Sequence, residues 1–158
     1  MKKLIISAAL GAALMACSST GGGGTASGAA QVVQTSTAGG ANAQLNAIRA
    51  QAGQGGVTRN AALEAAARAH ANDMVQRDFF SHTGSNGSTV GKRVRALGYR
   101  YCIVAENISK GQRTQTAVMQ GWANSSGHYR NMVNRKASEF GFANVGDVWV
   151  MVLASRSC

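Results

Sequence analysis

The sequence is poor in negative charge and has no second long hydrophobic run. Its 158 residues include 16 Lys and Arg but only 6 Asp and Glu, which gives a formal net charge of +10 at pH 7. Beyond the N-terminal stretch no apolar segment is long enough to span a bilayer, and no internal repeat is present, which excludes a polytopic membrane protein and a repeat architecture. Basic and aromatic residues are not interleaved along any predicted strand, which argues against a nucleic-acid partner.

Two sequence motifs of hydrolytic enzymes are also missing. No G-x-S-x-G nucleophile elbow is present, and Ser81, Ser125 and Ser126 are isolated serines that flank histidines. The H-E-x-x-H spacing of zinc proteases is absent as well. The sequence therefore disfavours a covalent hydrolase and contains no local zinc motif.

The N-terminus has the pattern of a bacterial export signal. Lys2 and Lys3 precede an apolar stretch and the small residue Ala16, which predicts a signal peptide over residues 1–16. The letters "LMAC" that end at Cys17 resemble a lipobox, in which the cysteine is lipidated; plain secretion is the alternative. The residue after the cysteine is Ser18, which resembles the sequence of lipoproteins that are sent to the outer membrane. We therefore expect a lipid anchor in the cell envelope, at the outer membrane.

The composition changes after the predicted anchor. Residues 17–43 are rich in Gly, Ser and Ala and carry no charge, which predicts a flexible tether. Residues 44–158 are long enough for one domain with a single core. Removal of Lys2 and Lys3 lowers the net charge from +10 to +8. Because the domain stays basic, we expect its partner to be an anionic lipid or envelope polymer. We also expect the domain to be monomeric.

The sequence has only three cysteines. Once Cys17 is assigned to the lipid, Cys102 and Cys158 remain as an even pair in an oxidising compartment. This arithmetic predicts a disulfide between them, and two free thiols are the alternative.

Apolar spacing and turn residues predict the order of elements. Leu63, Ala67, His70 and Met74 lie on one face of a helix that starts after Asn60, and His70 is most simply a core residue there. The remaining predicted elements are a helix ending at Gly53, one from Ser88 to Gly98, a strand "YRYCIV", a helix through Trp122, a short helix to Asn134, and a hairpin turning at Gly146-Asp147.

The last strand predicts the fold class. Val148, Val150 and Val152 point one way and the apolar residues between them point the other way. A strand that is apolar on both faces is covered on both faces. We therefore expect an α+β fold, a three-layer α/β/α sandwich with a small, largely antiparallel central sheet.

Three polar residues stand at positions where the neighbouring sequence does not explain a polar side chain. His82 follows two phenylalanines, Glu106 follows the apolar letters "IVA", and His128 follows Gly127. Two histidines and a carboxylate are a common zinc ligand set with an open position, and a histidine with a carboxylate is a common acid–base pair. The alternative is that Glu106 only accepts backbone N–H bonds from the following loop.

The chain resembles the CAP superfamily, named for cysteine-rich secretory proteins, antigen 5 and pathogenesis-related 1 proteins, in its short bacterial form. The similarity runs from "LNAIRAQAG" to "VWVMVLA", and its specific pieces are "FSHTG", "ENIS" and "GWANSSGHYRN". It implies an α/β/α sandwich with His82, Glu106 and His128 in one cleft that binds zinc or another divalent cation weakly. Asn107 and Trp122 are also candidates for the lining of the cleft; the alternatives are that Trp122 is a core residue and that Asn107 braces a loop. Eukaryotic relatives carry a second acidic residue in the region that reads Ala123-Asn124-Ser125 here, so this chain has one ligand fewer for a metal ion.

The resemblance and the missing nucleophile predict a lipid-anchored protein that binds an envelope or extracellular ligand without chemistry. The alternative is a metal-dependent, peptidase-like hydrolase with Glu106 as general base. A purely structural envelope protein is the third hypothesis. Lys92, Arg93, Arg95 and Arg100 surround the third helix, and they form either a solvated face or an anion-binding surface.

Overall fold

The computed structural model describes residues 35–158. The predicted signal peptide, Cys17 and the first part of the predicted tether lie outside the described residues. The described chain contains five helices and four strands, in the order α1 (Thr35–Gln51), β1 (Thr58–Arg59), α2 (Ala61–Gln76), α3 (Val90–Ala96), β2 (Ile103–Lys110), α4 (Gln115–Ala123), α5 (Ser126–Met132), β3 (Glu139–Val145) and β4 (Val148–Ser155). Within residues 35–158 no helix combines the length and the apolar character needed to cross a membrane.

The strands form one mixed sheet in the order β1-β3-β4-β2. Short β1 runs parallel to β3, and the other two pairings are antiparallel. β3 and β4 form the predicted hairpin, which turns at Gly146 with a φ of 57°. The sheet is therefore small and largely antiparallel, as predicted.

β4 lies between two helical layers. Every residue of β4 is buried. Val148, Val150 and Val152 belong to a core with α2 and α3, whereas Trp149 and Met151 belong to a second core with α1, α4 and α5. The alternation read from the sequence is confirmed, and so is the three-layer α/β/α sandwich.

α2 packs unusually close to the sheet. Asn60 caps the helix by accepting from the backbone N–H groups of Ala62 and Leu63, as its position predicted. A Cβ placed on Gly141 of β3 would lie 2.1 Å from the carbonyl carbon of Leu63. Glycine is therefore required where the helix backbone crosses β3, and the small alanines of α2 permit the approach.

α1 begins earlier than predicted, and the tether prediction is wrong from residue 35 onward. The helix starts at Thr35, and Ala41 inside the predicted tether is fully buried beside Leu45. Gln115 of α4 also donates to Gln44 at 2.8 Å. Packing against α4 thus stabilises a helix in sequence whose glycines disfavour one.

Two further boundaries differ from the prediction. Thr89, not Ser88, is the N-cap of α3, since its side chain accepts from the Lys92 N–H. The strand predicted at residues 99–104 begins at Ile103, where pairing with β4 starts. Tyr99 instead is completely buried in the core beneath α2 and α3, and its hydroxyl donates to Glu139.

Candidate functional site

The three polar residues meet at β2, the strand at one edge of the sheet. Glu106 and Asn107 occupy the middle of this strand. Because successive side chains of a strand point to opposite faces, Glu106 lies on the face of α2 and α3 and Asn107 on the face of α5. The site is therefore built around the edge of the sheet, with contributions from both helical layers.

The Glu106 carboxylate is buried and fully engaged. Its side chain is 2% exposed. Nδ1 of His82 lies 2.9 Å from Oε1, and Nη2 of Arg93 donates to Oε2 at 2.7 Å. A carboxylate only accepts, so the His82 Nδ1–H donates and its Nε2 is the ring nitrogen left for other contacts. The His82 side chain is 59% exposed, so this ring can meet a ligand.

Arg93 holds the loop that carries His82. Besides its bond to Glu106, its guanidinium donates to the carbonyls of His82 at 3.2 Å and Ser88 at 2.8 Å. The sequence analysis placed Arg93 in a basic surface cluster and missed this role. A signal was available, because Arg93 follows Val90 by three residues and so lies beside the apolar face of the helix.

His70 completes the surroundings of Glu106. It is buried, its Nε2 donates to the Ser81 carbonyl at 2.9 Å, and the same nitrogen lies 3.8 Å from Glu106 Oε1. Burial lowers the pKa of His70 below its ordinary value, more than the nearby carboxylates raise it. The prediction of a core histidine bonded to backbone is confirmed.

On the other face, two asparagines tie β2 to α5. Asn107 is completely buried and donates to the His128 carbonyl at 3.1 Å. Asn131 donates to the Asn107 side chain at 2.8 Å and to the Glu106 carbonyl at 3.3 Å. These bonds hold the helix turn that carries His128 against the edge of the sheet.

His128 lies on α5, half-buried over Trp122. The two ring centroids are 6.3 Å apart. Trp122 itself is 2% exposed and donates from Nε1 to the Ile108 carbonyl at 3.3 Å, so it is a core residue that supports His128. The pKa of His128 is lowered first by burial and second by its electrostatic interaction with the His82 ring, which places the two rings within electrostatic reach of each other.

The carboxylate does not fit as a metal ligand in this arrangement. Within residues 35–158 no three His, Cys, Asp or Glu side chains are placed to hold a metal ion together. Both oxygens of Glu106 are already bound, by His82 and by Arg93. Only the two imidazoles of His82 and His128 remain for a cation, and weak zinc binding by that pair stays a prediction.

The cysteine pair is formed as predicted. Cys102 and Cys158 are joined in a disulfide with a Cα–Cα distance of 5.3 Å. Cys102 directly precedes β2, so the bridge fastens the C-terminus to the strand that carries Glu106.

Comparison with known proteins identifies the family. The model of the cysteine-rich secretory protein family, CAP, matches residues 43–149. The chain belongs to the CAP family. The resemblance to the CAP family seen in the sequence is thereby confirmed.

Three known proteins are similar to this chain over most of the domain. The uncharacterised protein YkwD of Bacillus subtilis is 31% identical over 106 residues, which are 66% of this chain and 41% of that protein. An extracellular protein of Bacillus anthracis with an SCP domain is 24% identical, with a TM-score of 0.69 over 73% of this chain and 40% of its own. An outer surface protein of Borrelia burgdorferi is 17% identical, with a TM-score of 0.72 over 79% of this chain and 96% of its own. The chain thus spans about two fifths of the two Bacillus proteins.

Proposed function

We propose that this CAP protein is anchored in the cell envelope through a lipid on Cys17 and binds an envelope ligand through the cleft of His82 and His128, without chemistry. The observation that carries the proposal is the hydrogen bonding of the Glu106 carboxylate. Its two oxygens are bound by His82 and Arg93, so the carboxylate orients the exposed His82 ring. A positioned imidazole beside a second imidazole is a recognition site for polar groups of a ligand.

The same observation disfavours the metal-dependent hydrolase. A general base must reach a water molecule within hydrogen-bond distance. The Glu106 side chain is 2% exposed and already accepts two strong bonds. Proton transfer to this carboxylate would require Arg93 to give up its ion pair in the interior, which is costly.

The surface charge favours an anionic ligand. Five of the six acidic side chains within residues 35–158 lie in ion pairs. Eight exposed cations in the same part of the chain have no acidic partner, and they are Arg68, Lys92, Arg95, Arg100, Arg113, Arg130, Arg135 and Lys136. This excess attracts negatively charged lipid or polymer at ordinary ionic strength.

Co-sedimentation tests the proposal. The full chain would carry Cys17→Ser, so that lipidation does not itself bring the protein to a membrane. Its binding would be measured to purified peptidoglycan sacculi, to phosphatidylglycerol vesicles and to phosphatidylcholine vesicles. We expect salt-sensitive binding to sacculi or to the anionic vesicles, reduced at least tenfold by His82→Ala with His128→Ala. Gln120→Ala, which removes an exposed uncharged side chain of α4 away from the two histidines, is the control and should change binding little.

Three outcomes would contradict parts of this proposal. Equal binding by the double histidine variant would remove the cleft from ligand binding. Release of soluble fragments or lipid products, lost in His128→Ala, would establish the hydrolase instead. In cells, a Cys17→Ser protein that still carries acyl chains would refute the lipid anchor.

A further inference from the structure

The part of the chain around α3 is positively charged and free of acids. No Asp or Glu occurs between Asp78 and Glu106, whereas this segment contains four cations. One of them, Arg93, is turned toward Glu106 in the interior. The other three are exposed, and we call them the α3 cations: Lys92, Arg95 and Arg100.

The acids at both ends of this segment are already paired elsewhere. Glu106 is 2% exposed and pairs with Arg93 at 2.7 Å. Asp78 lies 3.8 Å from Lys110 at the end of β2. Within residues 35–158 no ion pair joins an α3 cation to an acid. The positive charge of this surface is therefore not compensated by the protein itself.

Two of the α3 cations are neighbours on the helix. Lys92 and Arg95 are three residues apart, a spacing at which like charges on a helix surface repel. The Arg95 guanidinium lies 4.4 Å from the ring centroid of Tyr101, a contact that orients this charge at the surface. An anionic partner would relieve the repulsion between the two side chains.

An exposed leucine lies among these charges. Leu97 directly follows α3 and is 46% exposed. A bilayer with anionic lipids presents negative head groups and, just beneath them, an apolar layer that a leucine can enter. A wall polymer presents no such layer. The combination of cations with an exposed leucine thus favours a lipid surface as the partner.

The proposed lipid anchor would keep the domain beside a bilayer. Thr35, the first residue of α1, follows Cys17 by 18 residues in the sequence. Contact of the domain with the membrane that holds the lipid is then an intramolecular step at high effective concentration. A few weak charge contacts are sufficient under that condition.

We propose that the α3 cations and Leu97 form a membrane-contact surface for anionic lipid head groups, separate from the cleft. The inference rests on the proposed function only for the location in the envelope. Because Arg93 of the same helix bonds the His82 carbonyl, this contact also places the cleft close to the membrane. The cleft then takes the wall polymer, so the loss of binding expected without His82 and His128 applies to sacculi.

The test is co-sedimentation of the full chain, again with Cys17→Ser, with vesicles of phosphatidylglycerol or of phosphatidylcholine at several salt concentrations. We expect binding to phosphatidylglycerol that weakens as salt is added, because salt screens exposed charges. Phosphatidylcholine vesicles, which carry no net charge, should bind at least tenfold more weakly. The variant with His82→Ala and His128→Ala should bind phosphatidylglycerol as the parent does.

Two triple variants that remove equal charge locate the contact. Each cation near an anionic membrane strengthens binding about fivefold. Replacement of the three α3 cations by glutamine should therefore weaken binding to phosphatidylglycerol about a hundredfold. The matched control replaces three exposed cations at the end of α5 by glutamine and should stay within about threefold of the parent; they are Arg130, Arg135 and Lys136.

A second pair of variants tests the apolar contact. Leu97→Ala should weaken binding to phosphatidylglycerol vesicles at least threefold, because less apolar surface enters the interface. Val75→Ala is the matched control. Val75 is 42% exposed but lies near Gly146, at the turn between β3 and β4, so its loss should leave vesicle binding unchanged.

Three results would overturn the inference. The first is the absence of binding to phosphatidylglycerol at low salt, which would make the α3 cations an ordinary solvated face. The second is an equal loss in the two triple variants, which would mean that net charge alone attracts the protein. The third is a loss of sacculus binding in the α3 variant while vesicle binding is kept, which would assign this surface to the wall polymer.

The cleft and the membrane contact fail separately. Removal of His82 and His128 tests the cleft on sacculi, and removal of the α3 cations tests the membrane contact on vesicles. Unchanged sacculus binding by the double histidine variant would contradict the cleft proposal and leave the vesicle result standing.

Discussion

At the scale of single residues, burial lowers the pKa of two of the three histidines. His70 is buried and His128 is half-buried, and burial is the largest cause that lowers the pKa of each. In the unfolded chain both histidines bind a proton near pH 6.5. The unfolded state therefore binds more protons than the folded state below that pH, and acid favours unfolding.

We expect the free energy of unfolding to fall as the pH is lowered from about 7.5 to about 5.5. The pKa values of Asp73 and Glu139 are lowered from already acidic values, so these carboxylates contribute below this window. Urea unfolding at several pH values measures the slope, and His128→Gln should flatten it in part. A parent protein with constant stability across the window would contradict a lowered pKa of His70 and His128 in the folded state.

At the scale of elements, one buried arginine of α1 holds the end of α5. Arg49 is 1% exposed and donates to the carbonyls of Met132, Asn134, Ala137 and Gly55 at 2.7–3.2 Å. Burial lowers its pKa, and carbonyl oxygens near the negative end of α5 replace the water that a guanidinium needs. Since α5 carries His128, this bond set helps to hold that residue in place.

Arg49→Met should destabilise the fold by about 2–4 kcal/mol, because it leaves several buried carbonyls without a donor. Arg68→Met is the matched control, since Arg68 is exposed on α2 and has no acidic partner. That change should stay within about 0.5 kcal/mol of the parent. Thermal and urea unfolding measure both, and equal stability of the two variants would show that the Arg49 bonds contribute little.

At the scale of the whole molecule, the disulfide joins two segments that are far apart in the chain. Cys102 and Cys158 are 56 residues apart in sequence. Cys102 N–H also donates to the Ser155 carbonyl at 2.7 Å, so the bridge continues the pairing of β2 with β4. It acts mainly by restricting the unfolded chain.

Replacement of both cysteines by serine should lower the free energy of unfolding by up to about 4 kcal/mol without a change of fold. The denaturation midpoint of the double variant, compared with that of the oxidised parent, measures the loss. The parent in reductant should fall to the same midpoint as the variant. An unchanged midpoint in both cases would mean that strand pairing alone restrains the C-terminus.

Local patterns predicted much of this fold and part of the site. The alternation of β4, the apolar face of α2 and the turn at Gly146 are properties of neighbouring residues, so the sequence alone determines them. The sequence also singled out His82, Glu106 and His128, because polar residues after apolar stretches lacked a local partner. It did not reveal the two oxygens of Glu106 as already bound.

The start of α1 and the roles of Arg93 and Arg49 were decided only by the tertiary structure. They depend on contacts between residues far apart in the chain. Helical order from Thr35 comes from burial of Ala41, and glycines nearby argue against a helix there. Arg93 belongs to the site because the edge position of β2 brings Glu106 to it, and Arg49 belongs to α5 because carbonyls more than 80 residues away surround it. The spacing of neighbouring residues carries no information on these long-range contacts. Buried charges and carbonyl groups need hydrogen-bond partners, and folding brings those partners from distant parts of the chain.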